Sequence, residues 1–137
     1  MDKLLVVGAL GLVGRAVVER FADRPGLQVV GLARRAPDFA RGATWVSADL
    51  RDAEATRAAL AAHRDTTHLV YAALNEQPHL TQGWRDPANM ALNTQMLANT
   101  LAALGGAPLR HVTLLQGTKA YGVHTGRAMR VPAREHD

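Results

Sequence analysis

Lys119 and Tyr121, in the segment QGTKAYG at positions 116–122, carry the side chains in this chain best suited to proton handling. A phenol can give a proton to a developing alkoxide or enolate, and a neighbouring ammonium lowers its pKa by favouring the phenolate. On a helix such a pair is spaced by four residues, which stacks both side chains on one face. Neither tyrosine has a lysine there: Tyr71 is followed at that spacing by Asn75, and Tyr121 by Thr125. Lys119 and Tyr121, two apart, face the same way only in an extended segment. No metal chemistry is expected. Cysteine is absent, and the histidines at 63, 68, 79, 111, 124 and 136 lack the spacing that sets two ligands on one helical face.

The strongest local pattern is VVGALGLVG, in which Gly8, Gly11 and Gly14 follow an apolar run and open a helical pattern. Glycines there allow a tight turn that brings backbone N–H groups, those of Leu10, Leu12 and Val13 among them, against a pyrophosphate at a helix N-terminus. The competing use of such glycines is close packing of helix on strand. The second apolar run ends in GLARRAPD, with Arg34 and Arg35 where an NAD site usually places an acid for the ribose hydroxyls. Two guanidinium groups suit a 2′-phosphate, so NADP(H) is expected over NAD(H), while Asp38 keeps NAD(H) open. In ADLRD, Asp49 can accept from an adenine amino group while Leu50 covers the ring; an aspartate before a helix is equally a cap or turn residue.

Five apolar runs must position these groups: Lys3 to Gly8, Gln28 to Ala33, Thr44 to Ser47, His68 to Ala73 and His111 to Gln116. They alternate with helical patterns, the signature of repeated βαβ units, and most are continuous, as expected of parallel strands covered on both faces. Val13, Val17 and Phe21 mark a first helix ended by Pro25-Gly26. Asp52 caps a second running to about His63. A third spans Asn89 to Leu104, with Met90, Leu97, Leu101 and Leu104 as its stripe and Gly105-Gly106 as its stop. Residues 123–137 show no period and are expected to be irregular. The fold class is therefore α/β, a Rossmann-like doubly wound parallel sheet of about five strands in one domain over 1–137.

Taken in order, GALGLVG, GLARR, ADLRD, DTTHLVYAAL, NMALNTQMLANTLAAL and LLQGTKAYG resemble the N-terminal half of an extended or atypical short-chain dehydrogenase/reductase. The similarity is greatest to the progesterone 5β-reductase and iridoid synthase-like enzymes. It implies NADP(H) as cofactor, an enone or carbonyl as substrate, Lys119 as the catalytic lysine and a tyrosine on a later helix as the acid. It carries Ala72, Ala73, Gln116 and Lys119 into the cofactor contacts alongside Gly8, Leu10, Gly11, Leu12, Val13, Gly14, Arg34, Arg35, Asp49 and Leu50. The later helix would lie beyond Asp137, so a cofactor-binding fragment, inactive alone, is expected. Leu10 departs from the threonine common in relatives. Tyr121 sits in an AYG that resembles the VYG of related epimerases, where that tyrosine is not the acid, so a packing role is expected for its ring.

Length and composition exclude other classes. A chain of 137 residues with 47% apolar content can bury one core. The formal charge of +4 is scattered, with no basic run interleaved with aromatics, so no nucleic-acid partner is expected. Fourteen arginines against two lysines match the alanine-rich composition more than any function. LLVVGAL is too short to span a bilayer and has no cleavage site, so no membrane partner and a cytoplasmic location are expected. Two rival functions stay open: a non-catalytic NADP(H)-sensing module of the NmrA type, and a sugar-nucleotide epimerase or dehydratase relative, for which Thr118 supplies the hydroxyl at the fifth-strand turn.

Overall fold

The structure is a computed structural model that describes residues 1–35, 37–39, 42–77, 86–117, 121–122, 125–126, 128 and 130–134. Each apolar run forms a strand: β1 (Asp2–Val7), β2 (Leu27–Ala33), β3 (Thr44–Ser47), β4 (His68–Tyr71) and β5 (His111–Leu114). All neighbours are parallel, in the order β3-β2-β1-β4-β5. The chain thus winds outward from β1 to β3, then crosses back to lay β4 on the other side of β1. That reversal opens a crevice at the carboxyl ends of β1 and β4, where doubly wound sheets bind ligands.

Helices cover both faces. On one, α1 (Leu12–Phe21) closes a cluster of Leu4, Val6, Val18 and Val29, with Val17 and Phe21 at its margin. Val13, expected on this buried stripe, is exposed in the first turn, which overhangs the sheet. On the other face, α2 (Ala53–Leu60) and α3 (Pro87–Ala103) close a larger cluster that includes Leu5, Val7, Leu32, Leu60, Leu69, Met96 and Leu104. The Asp52 carboxylate accepts the Ala55 N–H at 2.9 Å to cap α2, and a 3-10 turn continues it over Ala61–His63. Asp86 caps α3 through the Ala88 N–H at 2.9 Å, with Pro87 in the first turn, so this helix starts before the expected Asn89.

Two expectations need correction. The α3 stripe is only half the one that apolar spacing picks: Leu104 is buried and Leu97 packs on the core, but Met90 and Leu101 are exposed, while Asn89, Met96, Asn99, Thr100 and Ala103 are buried. The helix is apolar on nearly every side, so hydrophobicity alone does not select its inner face. Polar side chains with specific partners select it instead. Nor are all strands covered on both faces: β1 and the end of β2 are sealed, but edge strand β5 leaves Val112 and Leu114 partly exposed. Among the described residues no helix is long and apolar enough to cross a membrane.

Packing between β2 and β3 depends on a missing side chain. A Cβ at Gly31 would lie 2.7 Å from the Trp45 ring, itself held edge-on by Phe39 with centroids 5.3 Å apart. The Ala9 Cβ would stand 3.2 Å from the same position, so the added methyl is hemmed on two sides. Gly31→Ala should therefore cost about 1–3 kcal/mol of folding free energy through overpacking. Urea denaturation checks this, with Gly117→Ala, whose Cβ meets nothing within 4 Å, as the neutral control; equal midpoints for the two variants would show that the ring yields.

Candidate functional site

The crevice is a cleft of about 910 Å³ bounded by the glycine loop, the ends of β2 and β4, and the segments after β3 and β5. The glycines divide its construction between them. Gly8 has φ +80, and a Cβ there would stand 2.7 Å from the Ala73 nitrogen and 2.8 Å from the Ala72 carbonyl, so the loop lies directly on the end of β4. A Cβ at Gly14 would sit 2.2 Å from the Gly8 oxygen. Gly14 is thus a packing residue, buried and absent from the cleft lining, which is the competing use of such glycines. Gly11 is the exposed N-cap of α1 and donates its N–H to the Gly8 oxygen at 3.0 Å.

No side chain caps α1, and no acid occupies its first turn. The N–H groups of Leu12, Val13 and Gly14 have no acceptor within the helix, and the positive end of its dipole adds to their field. Leu10, Leu12 and Val13 all line the cleft, and Leu12 is 91% exposed. Uncapped donors beside Gly8 and Gly11, which leave the backbone open to close approach, fit the pyrophosphate of a dinucleotide.

Arg34 and Arg35 leave the end of β2 exposed on the cleft rim. Their strand end is tied to β3: the Ala48 N–H donates to the Ala33 carbonyl at 3.2 Å and the Ser47 hydroxyl to the Arg34 carbonyl at 3.3 Å. Asp38, the acid that kept NAD(H) open, pairs with Arg15 at 3.4 Å and does not line the cleft. Arg15 also lies 4.3 Å over the Phe39 ring and bonds Glu19, so this loop is folded back onto α1.

Asp49 and Leu50 form the wall after β3. The Arg51 guanidinium grips the Asp49 carboxylate, with Nε at 2.9 and 3.0 Å from its two oxygens and a terminal nitrogen at 2.5 Å; the Arg51 backbone N–H adds 3.1 Å. These bonds hold the Asp49 pKa down at about 2. Asp49 therefore has the turn role that the sequence left open, and Asp52, not Asp49, caps the helix. Leu50 is buried, and its carbonyl accepts from Asn99 of α3 at 2.8 Å.

Ala72 and Ala73 form the opposite wall, continued by Asn75. Asn75 is clamped to α3: its N–H donates to Asn93 at 2.7 Å and its side-chain amide to Asn89 at 2.9 Å. Gln116 and Gly117 complete the lining after β5. Lys119 and Thr118 lie outside the described residues. Tyr121 is 38% exposed and does not line the cleft. Sequence reasoning missed Arg51, Asn75 and Tyr71, all of which line the cleft, and Asn99 behind it. Arg51 was visible in ADLRD as a cation two residues past an acid; the asparagines became meaningful only once α3 had an inner face.

A parallel sheet of this order with a glycine loop at its switch point defines a dinucleotide-binding protein. Residues 4–136 match the NAD dependent epimerase/dehydratase family, and the chain belongs to it. It is 34% identical over 131 residues to a 3-oxo-Delta(4,5)-steroid 5-beta-reductase of Arabidopsis thaliana and 31% identical over 126 residues to the (S)-8-oxocitronellyl enol synthase CYC2 of Camptotheca acuminata. Each comparison covers 85% of this chain and 31% of the relative, so the chain spans under a third of those proteins' length. A short-chain dehydrogenase/reductase superfamily protein of Agrobacterium tumefaciens, solved with bound NAD, has the same fold with a TM-score of 0.67 at 23% identity, covering 88% of this chain and 34% of that one. Uronate dehydrogenase from the same organism gives 0.60 at 23% identity over 85% and 41%. The family is NAD(P)-dependent and includes reductases.

The Asp49–Arg51 pair has a measurable signature. A carboxyl whose folded pKa lies below its ordinary 3.8 contributes stability that is full above that value and lost as pH falls through about 2. The pair is partly exposed, so its worth is at most about 1 kcal/mol. Between about pH 4 and 2, wild type should lose up to this much more stability than Arg51→Gln in pH-dependent denaturation. Parallel curves would show that the pair does not form in solution.

Proposed function

We propose that this chain is the NADP(H)-binding part of a short-chain dehydrogenase/reductase-type oxidoreductase acting on an enone or carbonyl compound. The observation that carries the cofactor reading is the pair Arg34 and Arg35 on the rim at the end of β2, where the chain offers guanidinium groups and turns its nearby acid, Asp38, to Arg15. In this reading the first turn of α1 holds the pyrophosphate, Leu50 covers the adenine, and Arg34 and Arg35 take the 2′-phosphate. Ala72, Ala73 and Gln116 offer a wall without bulky side chains toward the other half of the dinucleotide.

When bound, NADPH supplies a hydride, and the names of the two plant relatives support an enone as its destination. Lys119 is the residue we assign to proton handling: an ammonium beside a developing enolate oxygen stabilises that charge and favours ionisation of a phenol partner. Tyr121 is not assigned as the acid, since it stands outside the cleft lining. The leading function is thus cofactor binding by the chain as it stands, with the full reduction as the activity of the enzyme type.

Isothermal titration with NADPH and NADH tests the cofactor reading. NADPH should bind more tightly, and Arg34→Ala or Arg35→Ala should weaken it by about tenfold or more, as hydrogen bonds to charged groups are worth about 1.5–3 kcal/mol, while changing NADH little. Equal affinities in wild type, or equal losses for both cofactors in the variants, would remove the arginines from 2′-phosphate recognition.

A further inference from the structure

Tyr71 is the last residue of β4, in register with Val7 of β1, and the next two residues are the Ala72 and Ala73 against which Gly8 packs. Its ring belongs to the core cluster with Leu50 and Met96, yet the residue also lines the cleft. Tyr71 is only 5% exposed, and its hydroxyl is fully buried without a hydrogen-bond partner among the described residues. An unpaired buried hydroxyl weakens a fold, and phenylalanine would fill almost the same volume without that cost.

Among the described residues, Trp45 Nε1 and His63 Nδ1 share this state, but neither residue borders the cleft. Among the described residues, the unpaired buried group whose residue borders the cleft is the Tyr71 hydroxyl. Burial pushes its pKa up to about 12, so at neutral pH it is an O–H donor and not a source of phenolate. No cation is shown lowering that value, which distinguishes it from a catalytic acid.

We infer that the Tyr71 hydroxyl donates a hydrogen bond to the bound nicotinamide dinucleotide, from the floor of the cleft where β4 passes beneath the glycine loop. The inference rests on the proposed cofactor reading. It gives the dinucleotide a partner within the sheet, in addition to backbone N–H groups and rim arginines. It also explains why a tyrosine occupies a core position whose hydroxyl has no partner among the described residues.

The test is Tyr71→Phe, read by titration with NADP+ and by melting of the ligand-free chain. Removal of the hydroxyl should weaken NADP+ binding about fivefold, the net worth of one hydrogen bond, while the ligand-free melting temperature stays level or rises. A residue serving only the fold would behave the other way. Unchanged affinity overturns the inference, and so does a fall in ligand-free melting temperature with affinity intact. As a second readout, the chain has two tyrosines, so 3-fluorotyrosine labelling gives two fluorine signals, assigned with Tyr121→Phe. The Tyr71 signal should move on NADP+ addition, and a still signal at saturation overturns the inference whether or not Tyr71→Phe folds. Failure of wild type to bind either NADP+ or NADPH would instead sink the cofactor reading, a result distinct from measurable and equal affinities.

Discussion

The contact on which the site depends is the approach of Gly14 to Gly8, so close that a Cβ would stand 2.2 Å from the Gly8 oxygen. It presses the first turn of α1 onto the end of β1 and fixes where the uncapped N–H groups point. Gly8 in turn lies against Ala72 and Ala73, which ties the loop to β4 across the switch point. Two close approaches thus lock three elements together, and only backbone without Cβ atoms can make them. The anion site follows from that packing. Glycines that look dedicated to a ligand are, at Gly8 and Gly14, dedicated first to geometry, and Gly11 alone stands exposed at the helix entry.

The second constraint is α3, which holds both side walls through asparagines. Asn99 near its C-terminal end binds the Leu50 carbonyl, and Asn89 and Asn93 near its N-terminal end bind Asn75. A buried amide left unpaired is costly, so each asparagine fixes the rotation of the helix as well as the loop it touches. This is why the helix turns Met90 and Leu101 outward although both are apolar. It also means that the two walls of the cleft are referred to one rigid body, so the width between them is set by a helix and not by loops.

The architecture was legible in the sequence because it is written in local patterns. Each of the five apolar runs became a strand, and Asp52 and the glycine pair at 105–106 bounded helices as their chemistry requires. What was not legible depended on contacts distant in sequence. The inner face of α3 was decided by Leu50 and Asn75, 49 and 18 residues from their partners. The buried polarity of Tyr71 was invisible because a tyrosine in an apolar strand run reads as core. Nor does the sequence show that Asp38 pairs with Arg15, 23 residues before it on α1.

Charge at the outer end of the cleft completes the picture. Arg34, Arg35 and Arg51 line it with Asp49 as their near acid, so the rim keeps a positive excess even with the Asp49–Arg51 pair formed. Had Asp49 no arginine beside it, its full negative charge would oppose any anion approaching Arg34. Arg51 places two contacts on each Asp49 oxygen, so the repulsion of an anion is offset at contact distance. The pair therefore lets an acid hold the turn after β3 without cancelling the positive rim, and that is a physical reason for an arginine to follow the aspartate by two residues.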